Sequence, residues 1–322
     1  MSIMNNIVRS ATRTKNDTLR CLTFCRENER YLRLLAKCNC ELYVIPKHEQ
    51  SDWKTTVSEI PENVFIFKDE NSLFNTRSFF DCVICNDRLQ EFDMASSISK
   101  SLHIPLITID HVSQETTQKL PAASKVDVGG SLFERVGNIN VCLSEDIKKS
   151  WNTNAYGISI EIPLCLDHMN DVEEPSSQND IVLDNNLPQA LMNVIEGDLA
   201  EMGVIPRFPE SSFENIKNAK IYINTWNNID IKTLEAMSLG CITISPRTIE
   251  TESIIKDKEN GFLFSDFSEL PKIIKECEKE TSEKISQKSI ETSKKICIDE
   301  KSFVKKWNQV FAYVSETFFS GN

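Results

Sequence analysis

Ala219-Lys-Ile-Tyr-Ile-Asn-Thr-Trp-Asn-Asn-Ile-Asp-Ile-Lys-Thr-Leu-Glu-Ala-Met-Ser-Leu-Gly-Cys-Ile-Thr-Ile-Ser245 decides the fold. It reads strand, polar loop, helix, glycine stop, strand. The apolar runs at either end are short and rich in isoleucine, as buried strands are. Between them Ile231 to Leu239 carries helical spacing, and Gly240 stands where a terminating C′ glycine belongs. A strand, a helix and a second strand joined this closely make a βαβ unit, whose parallel strands are covered by helices.

The same alternation runs outward in both directions. Toward the N-terminus, strand-like runs are Leu19 to Phe24, Leu42 to Ile45, Val64 to Phe67, Cys82 to Cys85, Leu106 to Ile109, Ile139 to Leu143 and Ile158 to Ile162. Helical stretches at Glu27 to Lys37, Glu91 to Leu102 and Glu145 to Trp151 lie among them. Asp167 to Asp180 is acidic and polar and reads as a linker. Beyond it come strand-like Ile181 to Leu183, a helix near Pro188 to Ile195, strand-like Gly203 to Ile205, and then the quoted unit. The tail from Ser268 is helical, with Trp307, Val310, Phe311 and Val314 on one face. The expectation is an α/β protein of two Rossmann-like domains, residues 1–165 and 166–300, facing across a cleft. Residues 301–322 would form a terminal helix packing back on the first domain.

Composition bounds the function. The chain has 322 residues, 40% hydrophobic, and a formal net charge of -12. That apolar share supports a core and excludes wholesale disorder. No apolar run reaches the ~20 residues that a bilayer crossing needs. The start, Met1 to Lys15, is polar, so the expected location is cytoplasmic. The 11 cysteines are an odd count, and several sit inside apolar runs. Cys82 and Cys85 have the spacing of a metal or redox pair, but residues three apart on a strand face opposite ways, so buried small hydrophobes are the expectation.

The loop Asn224 to Asp230 sits at a strand's carboxyl end and feeds a helix. Free amides and the helix dipole there favour an anion. Glu235, one turn in, can accept two hydrogen bonds from a vicinal diol such as a ribose. Read blandly, Glu235 is a salt-bridged surface acid, Asn227 and Asn228 are turn residues, and His111 is a structural histidine after a strand. His103 and His168 carry no signal.

Leu234-Glu-Ala-Met-Ser-Leu-Gly-Cys-Ile-Thr-Ile, followed by Glu252-Ser-Ile-Ile and Glu259-Asn-Gly-Phe-Leu-Phe264, resembles the donor-binding half of GT-B glycosyltransferases of the retaining family 4 type. The likeness is specific over about residues 213–275 and loose elsewhere. It implies transfer of a sugar from a nucleotide-diphosphate donor, a UDP- or GDP-sugar, with retained anomeric configuration and no further cofactor or metal. By the same likeness Glu235 would hold the ribose, Asn227 the sugar hydroxyls, and Arg207 or Lys232 the phosphates. Thr225, Asn228, Ile229 and Asp230 would line the donor site, and His111 would lie near the transferred sugar. The sequence departs from the pattern where an acidic residue would fall, at Asn227, and where a glycine-rich loop would fall, at Asn228 to Ile231.

Two other classes stay open: a nucleotide-sugar epimerase of the same shape, and a binding protein that has lost turnover. For the acceptor, the likeness implies a glycan or lipid-linked carrier. A modified DNA base ranks second, because residues 1–37 carry eight basic residues against three acidic.

Overall fold

In a computed structural model, residues 18–25, 29–46, 60–67, 79–86, 88, 91–115, 135–151, 157–166, 180–184, 189–207, 216, 219–225, 229, 231–277 and 282–319 are described. The chain divides into two compact units, with boundaries at Pro163/Leu164 and Asp299/Glu300. The final helix therefore belongs to the first unit. The candidate linker 167–179 lies outside the described residues.

The first unit holds a seven-stranded parallel sheet. Its strands are β1 (Leu19–Cys25), β2 (Cys40–Pro46), β3 (Val64–Ile66), β4 (Cys82–Cys85), β5 (Leu106–Asp110), β6 (Ile139–Cys142) and β7 (Ile158–Glu161), in the order β3-β2-β1-β4-β5-β6-β7. Helices α1 (Glu29–Leu35), α2 (Phe92–Leu102) and α3 (Glu145–Trp151) connect them. The strand order reverses between β1 and β4, and at such a switch point the loops diverge and open a crevice at the strands' carboxyl ends. Asn86, just past β4, closes the base of that point. Its Nδ2 donates to Thr23 Oγ1 and to the Phe24 carbonyl, both at 3.0 Å.

One face of this sheet packs Leu22, Phe24, Tyr43, Val83 and Cys85 against Phe92, Ala95 and Leu102 of α2. Cys82 points the other way, its Sγ 3.4 Å from Cys21 Sγ. The ten cysteines whose side chains are described are buried and form no disulfide.

The second unit holds four parallel strands, β8 (Asp180–Leu183), β9 (Ala219–Ile223), β10 (Ile242–Pro246) and β11 (Phe262–Phe264), in the order β11-β10-β9-β8. Its helices are α4 (Gln189–Glu201), α5 (Ile231–Ser238), α6 (Ile249–Ile254), α7 (Leu270–Cys277) and α8 (Ser282–Ile296). Ile221 and Ile223 face one core with Ile195, Leu199 and Ile274, while Tyr222 between them faces another with Ala236 and Cys241. Both faces are buried, which is why these strands read as largely apolar runs rather than alternating ones.

Gly240 ends α5 as expected, with φ of 77°. Its N–H donates to the Met237 carbonyl at 3.1 Å, and Cys241 N–H to the Ala236 carbonyl at 2.9 Å, the paired bonds of a Schellman cap. Gly203 to Ile205 is not the strand expected. Gly203 has φ of 76° and turns the chain out of α4, and Ile205 is exposed. Arg207 instead makes the edge contact, its backbone bonding Ile181 and Leu183. Within Glu259-Asn-Gly, Asn260 is a structural tie: it accepts from Lys256 N–H at 2.6 Å and donates to the Ile254 carbonyl and to Thr292 Oγ1.

The last helix, α9 (Glu300–Phe319), buries Phe303, Trp307, Val310, Phe311 and Val314. Tyr31 of α1 meets Phe303 edge-on at 5.7 Å and Trp307 at 6.4 Å between ring centres. Lys37 Nζ contacts Glu300 at 2.7 Å, and Asn308 Oδ1 accepts from Asn39 N–H. Of the basic residues near the N-terminus, Arg20 is paired with Glu41 at 3.0 Å. Arg9, Arg13, Lys15 and Arg26 lie outside the described residues.

Trp307 is fully buried. Trp307→Ala should therefore cost about 3–5 kcal/mol of unfolding free energy, read from urea denaturation of the full chain. A cost below about 1 kcal/mol, the scale of an ordinary surface change, would contradict the docking of α9.

Candidate functional site

Each unit gathers polar side chains at the carboxyl end of its sheet. In the second unit the first is Asp184, the residue after β8, with no exposed surface. Its Oδ2 accepts from the Tyr222 hydroxyl at 3.3 Å, and its Oδ1 lies 3.5 Å from Lys232 Nζ. The Asp184 carbonyl accepts from Thr225 Oγ1 at 3.3 Å. Asn224 follows β9, its N–H bonded to the Ile244 carbonyl.

Lys232 stands in the first turn of α5, and Glu235 one turn on. Thr233 through Ser238 are all buried, so α5 is a core helix rather than an amphipathic one. That is why Glu235 is only 8% exposed. A carboxylate in that setting must be hydrogen-bonded, and it does have a partner. The bland reading of Glu235 as a solvated surface acid does not hold.

Thr225 and Lys232 thus meet Asp184 at the carboxyl end of the sheet, with Ile229 buried just before α5 and Glu235 buried one turn into it. Asn227, Asn228 and Asp230 lie outside the described residues. Arg207 is not brought to this cluster. Its guanidinium is 2.9 Å from the Asp180 carboxylate, an ion pair at the opposite, amino end of β8, and its side chain is 57% exposed. The expectation that Arg207 meets phosphates is corrected on that ground: the edge pairing with Val182 fixes its backbone beside β8 and leaves its side chain near Asp180.

In the first unit His111 follows β5. The residue is half-buried, but its imidazole sits deep enough that desolvation lowers its pKa to about 4. Beside it, Asp110 and Arg88 form a buried bidentate pair, with Arg88 Nε and Nη2 donating at 2.8 and 2.5 Å. The Arg88 guanidinium lies over the Trp151 ring, 4.2 Å from its centre, and Trp151 Nε1 donates to the Val112 carbonyl at 2.7 Å. Arg135 donates to the Arg88 carbonyl at 3.0 Å and to Asp93 at 2.7 Å. Burial pushes the Asp110 carboxyl up, and the opposing pull of Arg88 does not fully offset it. Pairing two buried charges fixes their positions, and the Coulombic gain is set against their desolvation.

Sequence reasoning did not single out Asp184, Asn224, Arg88, Asp110 or Arg135. Asp184 and Asp110 did carry a signal, being the polar residue that ends an apolar strand. Arg88 carried none, because nothing local marks a loop arginine as buried.

No protein-family model matches the chain, and comparison with curated proteins gives no match. Solved structures do. The chain is similar to Anabaena Alr3699/HepE in complex with UDP-glucose, at a TM-score of 0.70 and 13% identity over 92% of this chain and 100% of that one. It is similar to sucrose-phosphate synthase (tll1590) from Thermosynechococcus elongatus, at 0.64 and 12% over 92% and 99%. It is also similar to the apo form of the lipopolysaccharide outer core galactosyltransferase WaaB, at 0.55 and 14% over 92% and 100%. The fold is that of the GT-B glycosyltransferases. Among the described residues no helix is long and apolar enough to cross a membrane.

Two predictions follow from the first unit. Asp110→Asn leaves a buried guanidinium without its counter-charge and should cost about 3–5 kcal/mol in urea unfolding. Arg88→Met with Asp110→Leu should cost less than that single change. A double variant worse than Asp110→Asn would refute the desolvation account.

The second concerns pH. An unfolded histidine has a pKa near 6.5, and folded His111 has one of about 4. Below pH ~6.5 the unfolded chain binds a proton that the folded chain resists. Stability should therefore fall as pH drops from ~6.5 to ~4, by roughly 3–3.5 kcal/mol at most for this group. His111→Gln should flatten that part of the curve, and an unchanged slope would count against a desolvated imidazole.

Proposed function

We propose that the protein transfers a sugar from a nucleotide-diphosphate donor to an acceptor, with retention at the anomeric carbon. The observation that carries this reading is the buried Glu235 one turn inside α5, with Lys232 in the first turn held at Asp184, whose carbonyl also accepts from Thr225. A carboxylate held this way offers two acceptors to a ribose diol. Lys232 and the positive end of the α5 dipole would offer positive charge to a diphosphate less than two turns away.

Asp184 matters here although the motif did not include it. It holds the Lys232 ammonium at the end of the sheet, so the cation is already in place when an anion arrives. As the donor's sugar–phosphate bond breaks, charge builds on the leaving diphosphate. Fixed donors at that point stabilise the developing charge without having to reorganise. Asn227 would meet the sugar hydroxyls, and Asn228, Ile229 and Asp230 would complete the donor loop. His111 would lie near the transferred sugar as a neutral imidazole. Arg207 takes no part.

Support for the donor class comes also from the similar structures, of which Alr3699/HepE is described in complex with UDP, with UDP and glucose, and with UDP-glucose. UDP-glucose is accordingly the first donor to try, and GDP-sugars the second. We assign the acceptor to a glycan or a lipid-linked carrier. DNA is less favoured, because two basic residues of the N-terminal stretch, Arg20 and Lys37, are spent on Glu41 and Glu300.

UDP should stabilise the full chain in a thermal-shift titration, by about 2.7 kcal/mol at a hundred times its Kd. Glu235→Gln should weaken that binding roughly tenfold to a hundredfold, the loss of one or two charged hydrogen bonds. With UDP-glucose, slow donor hydrolysis supports a transferase. Interconversion of the sugar would point to an epimerase, and binding without turnover to a binding protein. No response to any UDP- or GDP-sugar would overturn the proposal.

A further inference from the structure

Three buried polar atoms of the first unit lack a partner within one aromatic cluster: Tyr31 Oη, His111 Nε2 and Trp307 Nε1. Tyr31 lies between the other two. Its ring meets His111 edge-on at 5.4 Å and 79°, and Trp307 edge-on at 6.4 Å and 77°. Tyr31 and Trp307 have no exposed surface. All three atoms are fully covered by protein, which leaves no room for a bridging water. Unpartnered groups of this kind are costly and call for an explanation.

Donor and acceptor capacity allows one arrangement that satisfies all three. The indole Nε1–H only donates, the phenol both donates and accepts, and a neutral imidazole accepts at whichever nitrogen carries no hydrogen. If His111 carried its hydrogen on Nε2, the phenol oxygen would face two donors and its own hydrogen would have no acceptor. With the hydrogen on Nδ1, the chain closes: indole to phenol, phenol to imidazole.

We propose that Tyr31 is a positioning residue for His111: its hydroxyl donates to Nε2, Trp307 donates to the Tyr31 oxygen, and the relay holds His111 as the Nδ1–H tautomer. Desolvation keeps the imidazole neutral, and hence able to accept, through the physiological range. The indole N–H already lies close enough to the phenol to oppose the rise that burial imposes on the Tyr31 pKa, although the contact falls short of a closed hydrogen bond. The relay ties the imidazole at the carboxyl end of β5 to α9, whose sequence lies almost 200 residues further on (from His111 to Trp307). Its bearing on catalysis rests on the proposed role of His111, but the tautomer itself does not.

The test reads the ring nitrogens directly, without any substrate. The full chain labelled with ¹⁵N-histidine contains four histidines, and the His111 signals are identified by their loss in His111→Gln. At neutral pH, Nε2 of His111 should carry no hydrogen and Nδ1 should. Tyr31→Phe should cut the ratio of the two tautomers about fivefold, the change given by one net hydrogen bond of about 1 kcal/mol. Trp307→Phe should move it the same way by less. Nε2 protonated in the unsubstituted protein, or a tautomer ratio unmoved by Tyr31→Phe, would overturn the relay. If Tyr31→Phe does not fold, the unsubstituted protein and Trp307→Phe still decide the matter. Because no activity is read, a failed transferase assay leaves this result intact.

Discussion

A parallel strand covered on both faces has little place for a polar side chain except at its ends. Every backbone group is used in the ladder, and every side chain enters a core. That constraint arranges both units. Asp110 and His111 end and follow β5, Asp184 follows β8, and Asn224 and Thr225 follow β9. Polar residues left inside the strands are mostly tied locally: Thr108 donates to Asn140 at 2.6 Å, and Thr23 accepts from Asn86 at 3.0 Å. The side chains able to bind or react are thus collected along one end of each sheet by the same burial that stabilises it.

Such collection has an electrostatic cost, and the two units meet it differently. In the first, Arg88 donates to Asp110 through Nε and Nη2 and Trp151 covers the guanidinium, so both charges are buried and Arg88 is tied to the end of β5. In the second, Lys232 stays a quarter exposed while Asp184 is wholly buried. Its ammonium is anchored at one side and open at the other. The first arrangement is architectural. The second leaves a partly exposed cation at the start of a helix, the end of a helix dipole that favours negative charge.

Much of this was legible in the sequence, for an identifiable reason. Strands such as Leu106–Asp110 and Ala219–Ile223 are mostly apolar because both faces are covered, and Gly240 announced its helix end because a left-handed cap favours glycine. The run Gly203 to Ile205 misled because three residues are too few to separate a strand from the exit of a helix. Glu235 could be placed on a helix by spacing, but its burial depends on α8 and β10 packing around α5, which are tertiary facts. Arg88 and Arg135 were invisible for the same reason. Tyr31, His111 and Trp307 lie far apart in sequence and meet only when α9 docks on α1.

The central claim is that the carboxyl end of the second sheet is where a nucleotide diphosphate binds. Amide hydrogen exchange on the full chain, with and without saturating UDP, tests it most directly. The account predicts slowed exchange in peptides carrying Asp184, Asn224 and Thr225, and in those spanning Ile231 to Glu235, with the amino-end segment around Arg207 unchanged. Protection confined to other segments, or none in these peptides at UDP concentrations that shift the melting temperature, would contradict it.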